Sequence, residues 1–235
     1  MNNINNKKKS MAAGIFLWQA VIISLLICAG IVPVVSAEYE LLKSTDPVVR
    51  MSEVLRLGSE RNQEAIPYLI DVLGDESENV RLCAVIALGE IVDEAAIAPI
   101  ISVLENDASE GVKVIAAQTL GRFRGAEVRK ALLAACDSEN DRIRAAAVRS
   151  LGKAGKGKDV DKILEKVSED KNWRVRKNAA NALANIVELE RGDKGKRKDI
   201  EKALKRAGRR DKDKRVKDAA GNAGKRLEGV PEKEE

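Results

Sequence analysis

A chain of 235 residues with 34% charged and only 3% aromatic side chains has apolar material for a core but few bulky rings to fill it. It contains no histidine, which excludes histidine-based catalytic triads, histidine metal sites and the usual near-neutral acid–base group. The formal net charge of +5 says less than its distribution along the chain.

Lys7, Lys8 and Lys9 are followed by an uncharged, mostly apolar run from Met11 to Pro33, and Val35-Ser36-Ala37 then offers the small residues a leader peptidase reads. These features predict a signal peptide over residues 1–37, cut between Ala37 and Glu38. At roughly 1.5 Å per residue the same run also spans about 30 Å of bilayer core, so an uncleaved membrane anchor is the alternative. Either way the lysine flank stays inside, and the remainder is expected to be extracytoplasmic, periplasmic or secreted. Cys28 is preceded by Ile27, where a lipoprotein signal wants a small residue.

Without the leader the net charge falls to +2, because the leader holds three lysines and no acids. Residues 38–140 carry 10 Lys/Arg against 19 Asp/Glu, whereas residues 141–235 carry 29 against 18. The domain therefore has an acidic part and a basic part.

A β-branched residue followed by a base recurs as Val49-Arg50, Val80-Arg81, Val112-Lys113, Ile143-Arg144, Val175-Arg176 and Val216-Lys217, in steps of 31, 32, 31, 32 and 41 residues. Three residues before each pair stands Asp46, Ser77, Ser109, Asn140, Asn172 or Asp213, all side chains that accept from the unpaired N–H groups opening a helix. Each unit is thus predicted to start a helix at that residue, with Pro47 at the first helical position of the first. Four, five and eight residues after the β-branched anchor the positions fall on one stripe, as in Val80, Ala84, Val85 and Leu88. Glycine follows the stripe's last leucine at Gly58, Gly89, Gly121 and Gly152, so neighbouring helices are expected to approach closely.

A second apolar segment follows in each unit: Ile66 to Leu73, Ile97 to Leu104, Val128 to Cys136, Val160 to Val167 and Ile200 to Ala207. One unit is two antiparallel helices, and since no such pair buries its stripe alone, the units must stack. Cys83 and Cys136 fall in different units and are expected to be buried thiols rather than a disulfide.

The pattern of polar cap, two residues, Val-Arg, Ala-Ala or Ala-Val and then Leu-Gly resembles HEAT repeats, specifically the short HEAT-like repeats of phycobilisome lyases. Ser77 to Leu104 and Asn140 to Val167 carry it best. The resemblance spans residues 46–229 and implies an all-α, right-handed α-solenoid of five to six repeats of about 31 residues. It also implies that Arg50, Arg81, Arg144 and Arg176 form a ladder of hydrogen bonds and ion pairs between repeats. Glu53 in the first unit, and Gly221 and Gly224 in the last, depart from the pattern and read as end caps. The His-Glu pairs of HEAT-like deoxyhypusine hydroxylases are absent, and lyases of the related class act in the cytoplasm.

Gly152 to Lys158 is rich in glycine and lysine but follows a helix, so it is expected to be a solvated turn rather than a phosphate loop. The long step before the last unit places about nine extra residues in Glu188 to Lys198, expected to form a loop, and residues 191–217 hold 14 Lys/Arg against 5 Asp/Glu. Lys194, Lys196, Arg197, Lys198, Arg206, Arg209 and Arg210 are the candidate interaction residues; the competing reading makes this a solubilising cap. Residues 230–235 are expected to be a disordered tail.

No catalytic, cofactor-binding or metal-binding set is predicted. The chain is expected to be a non-catalytic scaffold in the cell envelope, whose second helices line a concave surface for a protein partner. Two alternatives remain: an enzyme or enzyme subunit working through Cys, Asp, Glu or Lys, and a binder of anionic envelope polymer or lipid. Nucleic acid is disfavoured by the scarcity of aromatics that stack bases.

Overall fold

The computed structural model describes residues 39–154, 159–189 and 194–228, which contain eleven α-helices joined by short turns and no strand. The predicted leader and tail, and most of the Gly152 to Lys158 turn, lie outside the described residues. The chain divides into two compact units, residues 1–53 and 54–235. In the first, the described residues form a 3-10 turn, Glu40–Lys43, and the start of α1 (Pro47–Ser59), within which the division falls.

The second unit is a stack of helix pairs. After α1 the second helix of the first repeat is α2 (Ile66–Asp71), and three pairs follow: α3 (Glu78–Ile91) and α4 (Ile97–Asn106), α5 (Glu110–Leu120) and α6 (Ala126–Ala135), α7 (Asp141–Ala154) and α8 (Val160–Glu169). The fifth pair is α9 (Trp173–Leu189) and α10 (Lys194–Arg210), and α11 (Lys214–Glu228) opens a sixth repeat. First helices pack in a row, α3 on α5, α5 on α7, α7 on α9 and α9 on α11. Each second helix leans on the first helix of the next repeat, α4 on α5, α6 on α7, α8 on α9 and α10 on α11. This is an α-solenoid.

All six first helices begin one residue after the polar cap that the sequence marks. Asp46 accepts from the Val48 N–H at 2.8 Å, Ser109 from Gly111 and Val112, Asn140 from Arg142 at 2.8 Å, Asn172 from Arg174 at 2.8 Å and Asp213 from Arg215 at 2.9 Å. Ser77 is the exception, making no side-chain cap bond to its own helix. Such caps contribute about 1 kcal/mol each. Two of them also reach back one repeat: the Ser109 hydroxyl donates to Glu78 at 2.6 Å, and the Asn172 amide donates to Asp141.

The stripe is the core. Val80, Ala84, Val85 and Leu88 are fully buried, as are Val112, Ala116, Ala117 and Leu120, and Val175, Ala179, Ala180 and Leu183. The glycines after the leucines set the spacing between first helices. A Cβ at Gly58 would stand 2.7 Å from the Ala87 Cα, one at Gly89 2.5 Å from a Thr119 methyl, one at Gly121 2.8 Å from the Ser150 hydroxyl, and one at Gly152 2.6 Å from the Ala182 Cα. Each glycine receives a small residue of the next first helix.

The described residues of the fifth unit's insertion are helical, not the loop expected from sequence. α9 and α10 each run 17 residues, against 14 and 10 for α7 and α8, so helix takes up all the described residues of Glu188 to Lys198. Lys, Arg and Glu are strong helix formers, and this lysine- and arginine-rich segment extends α10 backwards by turns.

Candidate functional site

Charged residues gather in two sets, the recurring bases of the repeat and the basic end. Arg81, Arg144 and Arg176 share one geometry. Arg81 donates from Nε and Nη2 to both oxygens of Asp107 at 2.8 and 3.0 Å, and from Nη1 to the carbonyls of Asp75 and Glu76. Arg144 holds Asp170 at 2.9 and 3.1 Å and the carbonyls of Ser138 and Glu139, and Arg176 holds Asp211 at 2.7 and 2.9 Å and the carbonyls of Asp170 and Lys171. In the first unit of the chain Arg50 donates to the Ser44 carbonyl at 2.7 Å.

Each aspartate stands two residues before the next repeat's cap and also accepts the cap residue's own N–H, at 2.7 Å for Asp107 and 2.8 Å for Asp170 and Asp211. The guanidinium fork therefore clamps its own turn by carbonyls and the following turn by a bidentate carboxylate. Burial pushes these carboxyls up, but the arginine and backbone hydrogen bonds outweigh it and hold Asp107, Asp170 and Asp211 below the ordinary carboxylate range. With the Asp170 side chain 3% exposed and Arg144 6%, removing one partner alone costs about 3–5 kcal/mol.

One joint is built differently. Lys113 occupies the base position of the third repeat and donates to the Glu105 carbonyl at 3.1 Å, while Ser138 stands at the position that Asp107, Asp170 and Asp211 hold in their turns. Second helices secure that region instead. Arg129 on α6 pairs with Asp159, just before α8, at 2.6 and 2.7 Å, and Lys162 and Lys166 on α8 reach back to Asp137 at 2.8 and 2.9 Å. The Arg129–Asp159 pair was not read from sequence, although Val128-Arg129 repeats the anchor spelling inside a second helix.

At the basic end many cations are already engaged. Arg197 donates to Glu201 at 3.0 Å and to the Leu227 carbonyl at 2.8 Å. Arg226 donates to Asn185, and Arg215 pairs with Asp213 at 2.7 Å while lying over the Trp173 ring. Of the residues named from sequence, Arg197 and Arg209 meet in one groove of about 700 Å³ between α10 and α11. Lys198, Arg206 and Arg210 are exposed and do not line it, and Lys196 is half-buried. Lys194 opens α10, its side chain outside the described residues.

The groove also takes Lys205, Lys217 and Lys225, which sequence reasoning missed, above a floor that includes Gly208, Gly221 and Gly224. Lys217 was visible in principle as the sixth member of the base series.

Neither thiol is placed for chemistry. Cys83 and Cys136 are free and buried, and burial pushes the Cys136 thiol up to about 12. Among the described residues no three His, Cys, Asp or Glu side chains gather as a metal set, and no helix is long and apolar enough to cross a membrane.

The comparisons agree with the α-solenoid fold. The family model of HEAT repeats matches residues 37–102 and 97–184, well over half of the chain, and the chain belongs to that family. Among solved structures an engineered protein is similar over 84% of this chain and 97% of its own, at 20% identity and a TM-score of 0.55. The archaeal HEAT-like repeats protein from Thermococcus onnurineus NA1 is similar over 83% and 87%, at 15% identity and 0.54. The complex of CpcE and CpcF of phycocyanin lyase from Nostoc sp. PCC7120 matches over 80% and 96%, at 18% identity and 0.40. A comparison with curated protein sequences gave no significant match.

Proposed function

We propose that this HEAT-repeat protein is a non-catalytic adaptor acting outside the cytoplasm, where it holds a protein partner on the exposed faces of its second helices and basic end. One observation carries the binding reading. The apolar stripe and the recurring arginines are consumed in joining repeat to repeat, while Lys198, Arg206, Arg209 and Arg210 on α10 stay exposed. The extracytoplasmic placement rests on Lys7 to Ala37 alone. Against catalysis stand the missing histidine and two thiols shielded from solvent, neither a ready nucleophile.

The test is affinity purification from envelope fractions after mild crosslinking, comparing wild type with Lys196→Gln/Arg197→Gln/Arg209→Gln/Arg210→Gln. A partner enriched with wild type and lost with the variant places recognition at the basic end; one retained by both places it on the repeat surface. No specific protein with either form sinks the adaptor reading. The amino-terminal sequence of the exported protein, expected to begin at Glu38, checks the leader separately.

A further inference from the structure

The solenoid's own packing rule says what belongs in the groove between α10 and α11. In the inner repeats a second helix lies against the preceding second helix, α6 on α4 and α10 on α8, and each second helix leans on the next first helix. The groove framed by α10 and α11 is the corresponding position one repeat further on, and no described helix fills it.

Its lining differs from an inner seat in two ways. Five and eight residues after the anchor the inner repeats carry Val85 and Leu88, Ala117 and Leu120, Val148 and Leu151, all fully buried. The last repeat has Gly221 and Gly224, and a Cβ at either would meet nothing within 4 Å. Packing does not require these glycines, and each weakens α11 by about 1 kcal/mol relative to alanine. They open holes where the inner repeats supply knobs.

The walls are cationic. Lys205, Arg209, Lys217 and Lys225 line the groove, and none pairs with a carboxylate among the described residues; Glu201 is the one acid and Arg197 partly occupies it. Arg197, Glu201, Lys205 and Arg209 follow at four-residue intervals, a row rising about 6 Å per step along one side of α10. A simple end cap would keep charge on the surface without carving holes beneath it.

We propose that this groove seats one α-helix of a partner protein, continuing the row of second helices in trans. That helix carries carboxylates along its flanks to meet the lysines and Arg209, and large apolar side chains along its inner edge to fill the space over Gly221 and Gly224. The proposal rests on the adaptor reading and assigns its partner a chemistry: an acidic amphipathic helix. A purely anionic polymer satisfies the walls but leaves the glycine floor without a purpose.

The test uses the full chain and a labelled synthetic helix-forming peptide of about 18 residues, roughly 27 Å long, with leucines at i, i+3, i+4 and i+7 and glutamates flanking them. Fluorescence anisotropy is measured against this peptide, poly-glutamate of equal length serves as competitor, and phosphatidylglycerol vesicles are used for co-sedimentation. The peptide is expected to bind, and to bind at least about tenfold more weakly to Lys205→Gln/Arg209→Gln/Lys217→Gln/Lys225→Gln and to Gly221→Val/Gly224→Leu. The second variant rebuilds the inner-repeat residues in open space, so its melting temperature should be no lower than wild type, which separates lost binding from lost fold. Equal affinity for poly-glutamate, sedimentation with the vesicles, or a glycine variant that binds undiminished overturns the helix seat in favour of a charge-only site. No peptide binding while the crosslinked partner persists removes the seat and leaves the adaptor reading standing.

Discussion

At the scale of single residues, glycine means opposite things in the first helices of two repeats. Gly152 lies where the next first helix crosses, and any Cβ would run into the Ala182 backbone at 2.6 Å. Gly152→Ala is therefore expected to destabilise by about 1–3 kcal/mol, the usual cost of overpacking where backbone must shift. At Gly221 a Cβ has open space, so Gly221→Ala should raise stability by up to about 1 kcal/mol through helix propensity alone. Paired denaturant titrations decide it, and equal effects of the two substitutions would remove the contrast. From sequence the Leu-Gly pairs were readable as close approaches because they recur at one register. Gly221 and Gly224 were readable only as departures, since whether space lies over them depends on which helix comes next.

At the scale of elements, the repeat is joined by charge at fixed points. Asp107, Asp170 and Asp211 titrate below their ordinary range in the folded chain, so they bind protons less readily folded than unfolded. Their contribution is complete above the unfolded value near 4 and is lost as pH falls through the lower folded values. The melting temperature should thus hold between about pH 7 and pH 5 and fall below about pH 4. Asp107→Asn/Asp170→Asn/Asp211→Asn should melt lower at neutral pH, with a shallower acid limb that converges on wild type. Parallel curves would mean that other carboxylates govern acid unfolding. The base half of this ladder was legible, because the bases sit beside periodic anchors. The acid half was not: Asp107, Asp170 and Asp211 lie in turns, where aspartate is common for local reasons, and only the fold shows that each faces an arginine 26 or 35 residues earlier. In the fifth unit an insertion spelled in lysine, arginine and glycine reads as loop, whereas its described residues belong to α9 and α10.

At the scale of the molecule, the sequence divides into a part with 19 acids against 10 bases and a part with 29 bases against 18 acids. The recurring arginines and their aspartates are spent in the joints between repeats, whereas Lys198, Arg206, Arg209 and Arg210 on α10 stay exposed. Capture of a partner should weaken steeply as salt rises from about 0.15 M to about 1 M, where the screening length contracts from about 8 Å to about 3 Å. Recovery of the crosslinked partner across that range measures it, and capture indifferent to salt would take charge out of recognition. The fold was legible almost in full because repetition multiplies a weak signal by six. The interaction surface was legible only as a surplus of lysine and arginine, since nothing in the repeat pattern constrains which of them the joints leave over.

The clamp between repeats also limits how such a gene can grow or shrink. Because each arginine grips the turn that opens the following repeat, a joint belongs to two modules at once, and its two halves can be reassorted. Excision of residues 107–169 removes two modules and brings Arg81 opposite Asp170, regenerating an arginine–aspartate clamp of the kind lost. Excision of residues 107–137 removes one and brings Arg81 opposite Ser138, stranding a guanidinium against a hydroxyl. Recombination that respects the 31-residue period is therefore not uniformly neutral along this chain: the third module, with its lysine and serine, acts as a phase marker that only some rearrangements can cross.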